Sequence, residues 1–197
     1  FTRQIGPYIA KTVDYDEIEN NMVRCPDRKI AEKMVEHILK ARKKGDSVGG
    51  IVEVVVKGAP PGLGEPVFDR LDADLAKALM SIPAVKGVEV GAGFAAADML
   101  GSRHNDAFIM SGKRVRTKTN NAGGILGGIS NGEDIVVRMA VKPTSSILKE
   151  QETVTVKGKK AFISVEGRHD PCGCPSAVPV AEAMVALTLI DHYLRNQ

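Results

Sequence analysis

Apolar residues recur every three or four positions at Ile30, Met34, Val35, Ile38 and Ala41, the spacing of one buried face on an α-helix. Pro26 opens this stretch and Gly45 follows Lys43 and Lys44 at its end, so start and stop signals bracket an amphipathic helix lying on a core. Leu71, Leu75 and Leu79 mark a second helix in the same way. Between the two the pattern changes. Ile51-Val52-Glu53-Val54-Val55-Val56 is β-branched and flanked by Gly49-Gly50 and Gly58-Ala59-Pro60-Pro61, which is strand punctuation on both sides. Val85 to Val90 and Ile135 to Val141 predict further strands, and Val154 to Val156 with Phe162 to Val165 predict a hairpin around Lys157-Gly158-Lys159-Lys160. Residues 1 to 13 read as the end of a strand and a turn at Gly6-Pro7. Val180 to Leu194 is apolar on nearly every face, through Ala181, Met184, Val185, Leu187, Leu189 and Ile190, which predicts a helix packed on more than one side, a subunit contact among them. Strands outnumber helices, and no repeat, low-complexity tract or composition shift marks a linker. The expectation is a single α+β layered domain over residues 1–197.

Composition narrows the function classes. A chain of 197 residues that is 43% hydrophobic can bury a proper core. Its net charge of +3 lacks the basic excess of a dedicated nucleic-acid binder, and 4% aromatic residues with no Trp supply no stacking platform for single strands. No apolar run reads as long enough to span a bilayer, so neither nucleic acid nor membrane is expected as a partner. Cys25, Cys172 and Cys174 are an odd set in a chain with ample core, which points to a reducing, cytoplasmic setting without structural disulfides.

Four segments could carry chemistry. The densest is Asn120-Asn121-Ala122-Gly123-Gly124-Ile125-Leu126-Gly127-Gly128-Ile129-Ser130-Asn131-Gly132, two Gly pairs in a polar frame. Such a run lets the backbone approach a ligand and aim several N–H groups at an anion; a tight bend between strands explains it equally well. No Gly-Lys-Ser/Thr follows, so it is not a Walker loop. Next, Val141-Lys142-Pro143-Thr144-Ser145-Ser146 puts a cation and three hydroxyls at the end of a strand. Charge from the Lys and direction from the hydroxyls suit a phosphate ester, with a solvated polar loop as the plainer alternative. In Gly167-Arg168-His169-Asp170-Pro171-Cys172 a permanent cation, an imidazole and a carboxylate precede a Pro. Arg can grip an anion in a bidentate fork and Asp can act as acid or base; a surface ion pair is the alternative. His169 with Cys172 and Cys174 lacks a second ligand pair, so no metal site is expected. Last, the strand before Gly91-Ala92-Gly93-Phe94-Ala95-Ala96 gives a G-x-G-x-x-A pattern, but the acidic strand end required about twenty residues later is missing, which disfavours a dinucleotide fold.

Several of these stretches, together with Gly45-Asp46-Ser47-Val48-Gly49-Gly50, Gly62-Leu63-Gly64-Glu65-Pro66-Val67-Phe68-Asp69 and Ala177-Val178-Pro179-Val180-Ala181-Glu182-Ala183-Met184, stand in an order that resembles chorismate synthase along essentially the whole chain. The resemblance implies a layered β-α-β sandwich of mostly antiparallel sheets and packed helices. It also implies a homotetramer, reduced FMN as cofactor with NADPH as a candidate electron source, and a small anionic substrate, 5-enolpyruvylshikimate 3-phosphate, that loses phosphate to give chorismate. By resemblance Pro83, Ala84, Gly127, Lys142, Pro143, Thr144, Ser145, Ser146 and Arg168 contact the flavin, and Asp170 is the catalytic carboxylate. Lys118, Arg114, Arg116 and Arg138 are candidates to add to the anion-binding field. The family's chains are longer, so the segment reads as a carboxy-terminal portion. Its amino-terminal counterpart carries two catalytic His residues that His37, His104, His169 and His192 do not match, and this portion alone is expected to be inactive. A non-catalytic flavin-binding, phosphate-binding or oligomerisation module is the competing reading. Gly173, Cys174 and Ser176 depart from the family pattern beside Asp170.

Overall fold

The structure is a computed structural model describing residues 1–197. In chain order its strands are β1 (Thr2–Ile5), β2 (Tyr8–Ile9), β3 (Gly50–Val56), β4 (Val85–Val90), β5 (Phe108–Ser111), β6 (Arg114–Thr117), β7 (Ile125–Leu126), β8 (Ile129–Ser130), β9 (Ile135–Val141), β10 (Gln151–Val154) and β11 (Lys160–Ile163). The helices are α1 (Arg28–Lys43), α2 (Leu71–Met80), α3 (Gly101–His104) and α4 (Cys174–Arg195). The mixture of helices with antiparallel sheets makes this an α+β fold, and the chain forms two compact units. Unit 1 comprises Phe1–Val52 and Ala140–Val178; unit 2 comprises Glu53–Met139 and Pro179–Gln197.

In unit 1 the strand order is β2-β1-β3, and β1 runs antiparallel to both neighbours. Helix α1 packs on β1 and β2 and buries Ala31 and Met34 against a core that includes Phe1, Ile5 and Val52. The start of α1 is fixed by Asp27, whose carboxylate accepts from Ile30 N at 3.2 Å and also from Lys11 N at 3.0 Å and Thr12 N at 3.3 Å. Burial pushes the Asp27 carboxyl up, but these bonds outweigh it and hold the group below its ordinary range. Lys40, Arg42 and Lys43 fill the last turn, where the helix dipole favours cations.

In unit 2 the order is β3-β9-β4, with α2 packed on β4. The period-4 leucines Leu71, Leu75 and Leu79 are all fully buried, each contributing about 2 kcal/mol of apolar burial. Strand β9 alternates strictly, with Ile135, Val137, Met139 and Val141 inward.

Three elements differ from what the residue pattern predicts. The β10–β11 hairpin pairs Gln151↔Ile163 through Val154↔Lys160, earlier in the chain than predicted, and Val156 falls in the exposed turn. Both strands are largely exposed, so no buried face fixed the alternation. The β5–β6 hairpin is exposed too, and its apolar residues Phe108, Ile109, Met110 and Val115 show no alternation between a buried and an exposed face. Helix α4 begins at Cys174 rather than Val180 and continues through Pro179. Proline has no N–H to donate to the carbonyl four residues back. That carbonyl, Pro175 O, instead accepts from Arg24 Nη1 at 2.8 Å. At 22 residues α4 is also long and apolar enough to cross a membrane by length and composition alone, which corrects the expectation that no run reaches that length.

Candidate functional site

Strand β9 ends at Val141 and the chain turns away through Lys142 to Ser146. Two other segments of unit 1 meet this turn: the loop after α1 and the loop before α4. Ser47 Oγ donates to Thr144 O at 2.6 Å, Thr144 Oγ1 donates to Asp170 O at 3.0 Å, and Val48 N donates to Pro171 O at 2.8 Å. The approach is close enough that a Cβ on Gly49 would lie 2.6 Å from Val141 O and 2.9 Å from Pro143 Cδ. The polar turn and the arginine–aspartate loop therefore share one place, although they are more than twenty residues apart in sequence.

Between these segments lies a cleft of about 180 Å3 lined by Arg42, Asp46, Ser47, Ser146, Arg168, His169 and Asp170, among others. That volume suits a phosphate or carboxylate group rather than a whole cofactor-sized molecule. Asp46 is not a free base: Lys149 Nζ sits 2.5 Å from its Oδ2, and that contact, with a bond from Ser47 N, holds its carboxyl below the ordinary range. Arg168 and Asp170 do not bridge one another, so the surface ion pair considered for this motif does not form. Arg168 and Arg42 are both exposed, and neither guanidinium is engaged by a carboxylate. With Asp46 neutralised and two arginines uncommitted, the cleft is anion-attracting.

The predicted site residues divide accordingly. Arg168, Asp170 and Ser146 line the cleft. Thr144 spends its hydroxyl on Asp170 O and acts by position. Lys142, Pro143 and Ser145 are exposed beside the lining rather than in it. Arg42 is a cation that residue patterns miss, since in the last turn of a helix it reads as dipole compensation.

Pro83, Ala84 and Gly127 belong to unit 2. Pro83 is exposed in the turn before β4, and Ala84 beside it holds φ 71, a left-handed conformation that costs a non-glycine residue about 1 kcal/mol. The glycine-rich run is a pair of tight bends. Gly127 and Gly128, with φ 61 and 87, form the two-residue connection between β7 and β8, a turn that demands positive φ at both positions. The first pair approaches β4's exit: a Cβ on Gly91 would stand 2.2 Å from Asn121 O and 2.4 Å from Gly123 N. Gly91 is thus needed for packing of backbone on backbone, not for a dinucleotide.

Most N–H groups of the glycine run are used within the protein, which favours the tight-bend reading of the run over the anion-binding one. Asp106 accepts from Thr119 Oγ1 at 2.7 Å and from Asn121 N and Ala122 N, each at 2.8 Å, while Asn120 Oδ1 takes Gly124 N at 2.7 Å. Gly127 remains exposed, with nothing within 4 Å of where a side chain would start. Two of the four basic residues nearby are committed. Arg116 grips Glu133 with Nε and Nη2 at 2.7 and 2.6 Å, and Arg138 pairs with Glu89 at 3.1 Å while donating to Gly91 O at 2.7 Å. Arg114 and Lys118 are exposed.

Comparison with known proteins gives one answer. A family model described as chorismate synthase matches residues 1–194. A protein named chorismate synthase from Methanosarcina mazei is 60% identical over 198 residues, covering 98% of this chain and 54% of that protein. Chorismate synthase from Prochlorococcus marinus (strain MIT 9211) is 59% identical over 187 residues, 94% of this chain and 52% of the relative. A solved structure described as a crystal structure of chorismate synthase superposes with a TM-score of 0.81 at 33% identity, covering all of this chain and 56% of that one. The chain spans about half the length of the curated relatives it matches.

Proposed function

This chain belongs to the chorismate synthase family, and from that membership and the cationic cleft of unit 1 we propose that it serves the reduced-FMN-dependent elimination of phosphate from 5-enolpyruvylshikimate 3-phosphate to give chorismate. The observation that carries the reading is the meeting of the Thr144–Ser146 turn with Arg168 and Asp170 around one cleft, joined by the Thr144 Oγ1 bond to Asp170 O at 3.0 Å.

The residues fit an anionic group. Arg168 supplies a planar five-donor fork, Ser146 a directional hydroxyl and Arg42 a second positive charge, while Asp46 adds no free negative charge because Lys149 neutralises it. Either the FMN phosphate or an acidic group of the substrate satisfies that set, at a volume of about 180 Å3. When bound, reduced flavin supplies electron density to a substrate losing phosphate and regains it as hydrogen is lost. The chain's own part is to bind, orient and neutralise. Arg168 and Ser146 hold an anion, the Ser47–Thr144–Asp170 chain of bonds fixes the loop, and the Asp170 carboxylate is set to hold or take a proton at its own oxygens. Assignment of Pro83, Ala84, Gly127, Lys142, Pro143 and Ser145 to flavin contact rests on the family resemblance.

Titration with FMN under reducing conditions, together with an assay of phosphate released from the enolpyruvyl substrate, tests the proposal on a chain of the relatives' full length that includes this portion. Binding and release are expected; failure of both sinks it. In Arg168→Ala the affinity for the anion should fall roughly ten- to a hundredfold, the worth of a charge-assisted bidentate contact.

A further inference from the structure

We infer that Lys149, which lies outside the lining of the unit 1 cleft, is a positioning residue: by holding Asp46 it keeps the guanidinium groups of Arg42 and Arg168 open for an anionic ligand. The inference rests on the reading of that cleft as an anion site and concerns what sets its affinity.

Asp46 and the two arginines line the same cleft. The backbone at Asp46 is tied to the end of α1 that carries Arg42: Gly45 N donates to Arg42 O and Asp46 N to Ala41 O, each at 3.0 Å. A free carboxylate in such a place pairs with a guanidinium through charge-assisted bonds. That pair would consume the planar donor fork that an incoming phosphate or carboxylate needs.

Lys149 prevents it. Leu148 N and Lys149 N both donate to Gly45 O, at 3.1 and 3.2 Å, so backbone bonds alone bring Lys149 to the loop that carries Asp46. Its Nζ stands 2.5 Å from Asp46 Oδ2, while Ser47 N donates to Asp46 Oδ1 at 2.9 Å. Both carboxylate oxygens are therefore occupied, one by a cation and one by an N–H. The Lys149 contact first and the Ser47 bond second hold the carboxyl below its ordinary range, so the pair stays ionised as pH falls from neutrality.

Stability is not what this contact supplies. The side chains of Lys149 and Asp46 are 48% and 39% exposed, and pairs so open to water contribute little to folding. Its effect falls on the field of the cleft. Without the ammonium, Asp46 regains an unpaired oxygen among the lining residues, where it competes with the ligand for Arg42 and Arg168 and repels the ligand's own charge.

The test is calorimetric titration with inorganic phosphate of a chain of the relatives' full length that includes this portion, with Arg168→Ala marking the part of the signal that belongs to this cleft. Lys149→Met should weaken that binding roughly three- to tenfold. Lys149→Arg should retain it, and Asp46→Asn should tighten it, because Lys149 is then an unmatched cation. The double variant Lys149→Met with Asp46→Asn should return to within about twofold of wild type, a recovery that a lysine needed for folding or for touching the ligand would not show. Lys43→Met removes the same charge from the exposed end of α1 and should change affinity by less than about twofold. Equal affinity in wild type and Lys149→Met, a double variant as weak as Lys149→Met, or an equal loss in Lys43→Met overturns the inference and leaves the anion site standing. Where Lys149→Met does not fold, Asp46→Asn decides, and binding no tighter than wild type overturns it. Absence of phosphate binding in the wild type removes the anion site itself, and the inference with it.

Discussion

Asp170 combines a fixed backbone with a free carboxylate. Thr144 Oγ1 holds its carbonyl at 3.0 Å, yet no cation of the chain pairs with its side chain, even though Arg168 is two residues away. A carboxylate left unpaired beside an anion-binding arginine is available for proton chemistry. Asp170→Asn keeps the shape and removes the proton acceptor, so turnover should fall about 100-fold or more while FMN affinity, measured by fluorescence, is retained. An unchanged rate would remove Asp170 from the mechanism. Arg168→Lys keeps the charge but loses the planar fork. It should recover only part of the anion affinity lost in Arg168→Ala, as read by phosphate titration.

Among the elements, the loop from Asn120 to Gly124 depends on one buried carboxylate. Burial alone pushes Asp106 up, but its bonds from Ala122 N, Thr119 Oγ1 and Asn121 N outweigh that and depress it; Glu133 is depressed first by Arg116. A carboxyl lowered in the folded state stabilises the protein above its unfolded value and loses that contribution as pH falls through the folded one. Urea midpoints should therefore be flat from neutrality to about pH 5 and decline below about pH 4, with a shallower decline in Asp106→Asn. Gly91→Ala would drive a methyl to 2.2 Å from Asn121 O at φ 58 and should cost about 2 kcal/mol or more by urea denaturation. The legibility of these elements follows their burial. Leu71, Leu75, Leu79 and the alternation of β9 were readable because each has a buried face imposing a period. The two exposed hairpins have no such face, and the first turns of α4 were hidden because a proline there is tolerated only through Arg24, a partner 151 residues away in the chain. The site was legible in part for a similar reason. Arg168, Asp170 and the hydroxyl run announce themselves by residue type, whereas the internal use of the glycine-loop N–H groups depends on Asp106, outside that motif.

At the scale of the whole molecule, the outer side of α4 presents apolar residues to solvent. Leu187, Ile190 and Leu194 are exposed at 63%, 49% and 64%, while the His192 ring is buried and bonded to Asp74 at 3.0 Å, which fixes how the helix is rotated. Apolar residues held outward by a buried polar contact suit a contact between copies. The tetramer proposed from family resemblance should appear by sedimentation, and Leu187→Glu with Leu194→Glu should shift the protein to smaller species. An unchanged mass would place the contact elsewhere. The division of the chain has a consequence for biosynthesis. Each unit is assembled from two stretches with the other unit's residues between them, so the polypeptide passes from one to the other three times. A ribosome that has reached residue 139 has released only the first stretch of each, and neither fold can finish before residues 140 to 197 follow. Nascent chains halted there should be degraded by protease as a whole, with no resistant kernel, and a genetic cut at that junction should yield two pieces that need each other to become ordered.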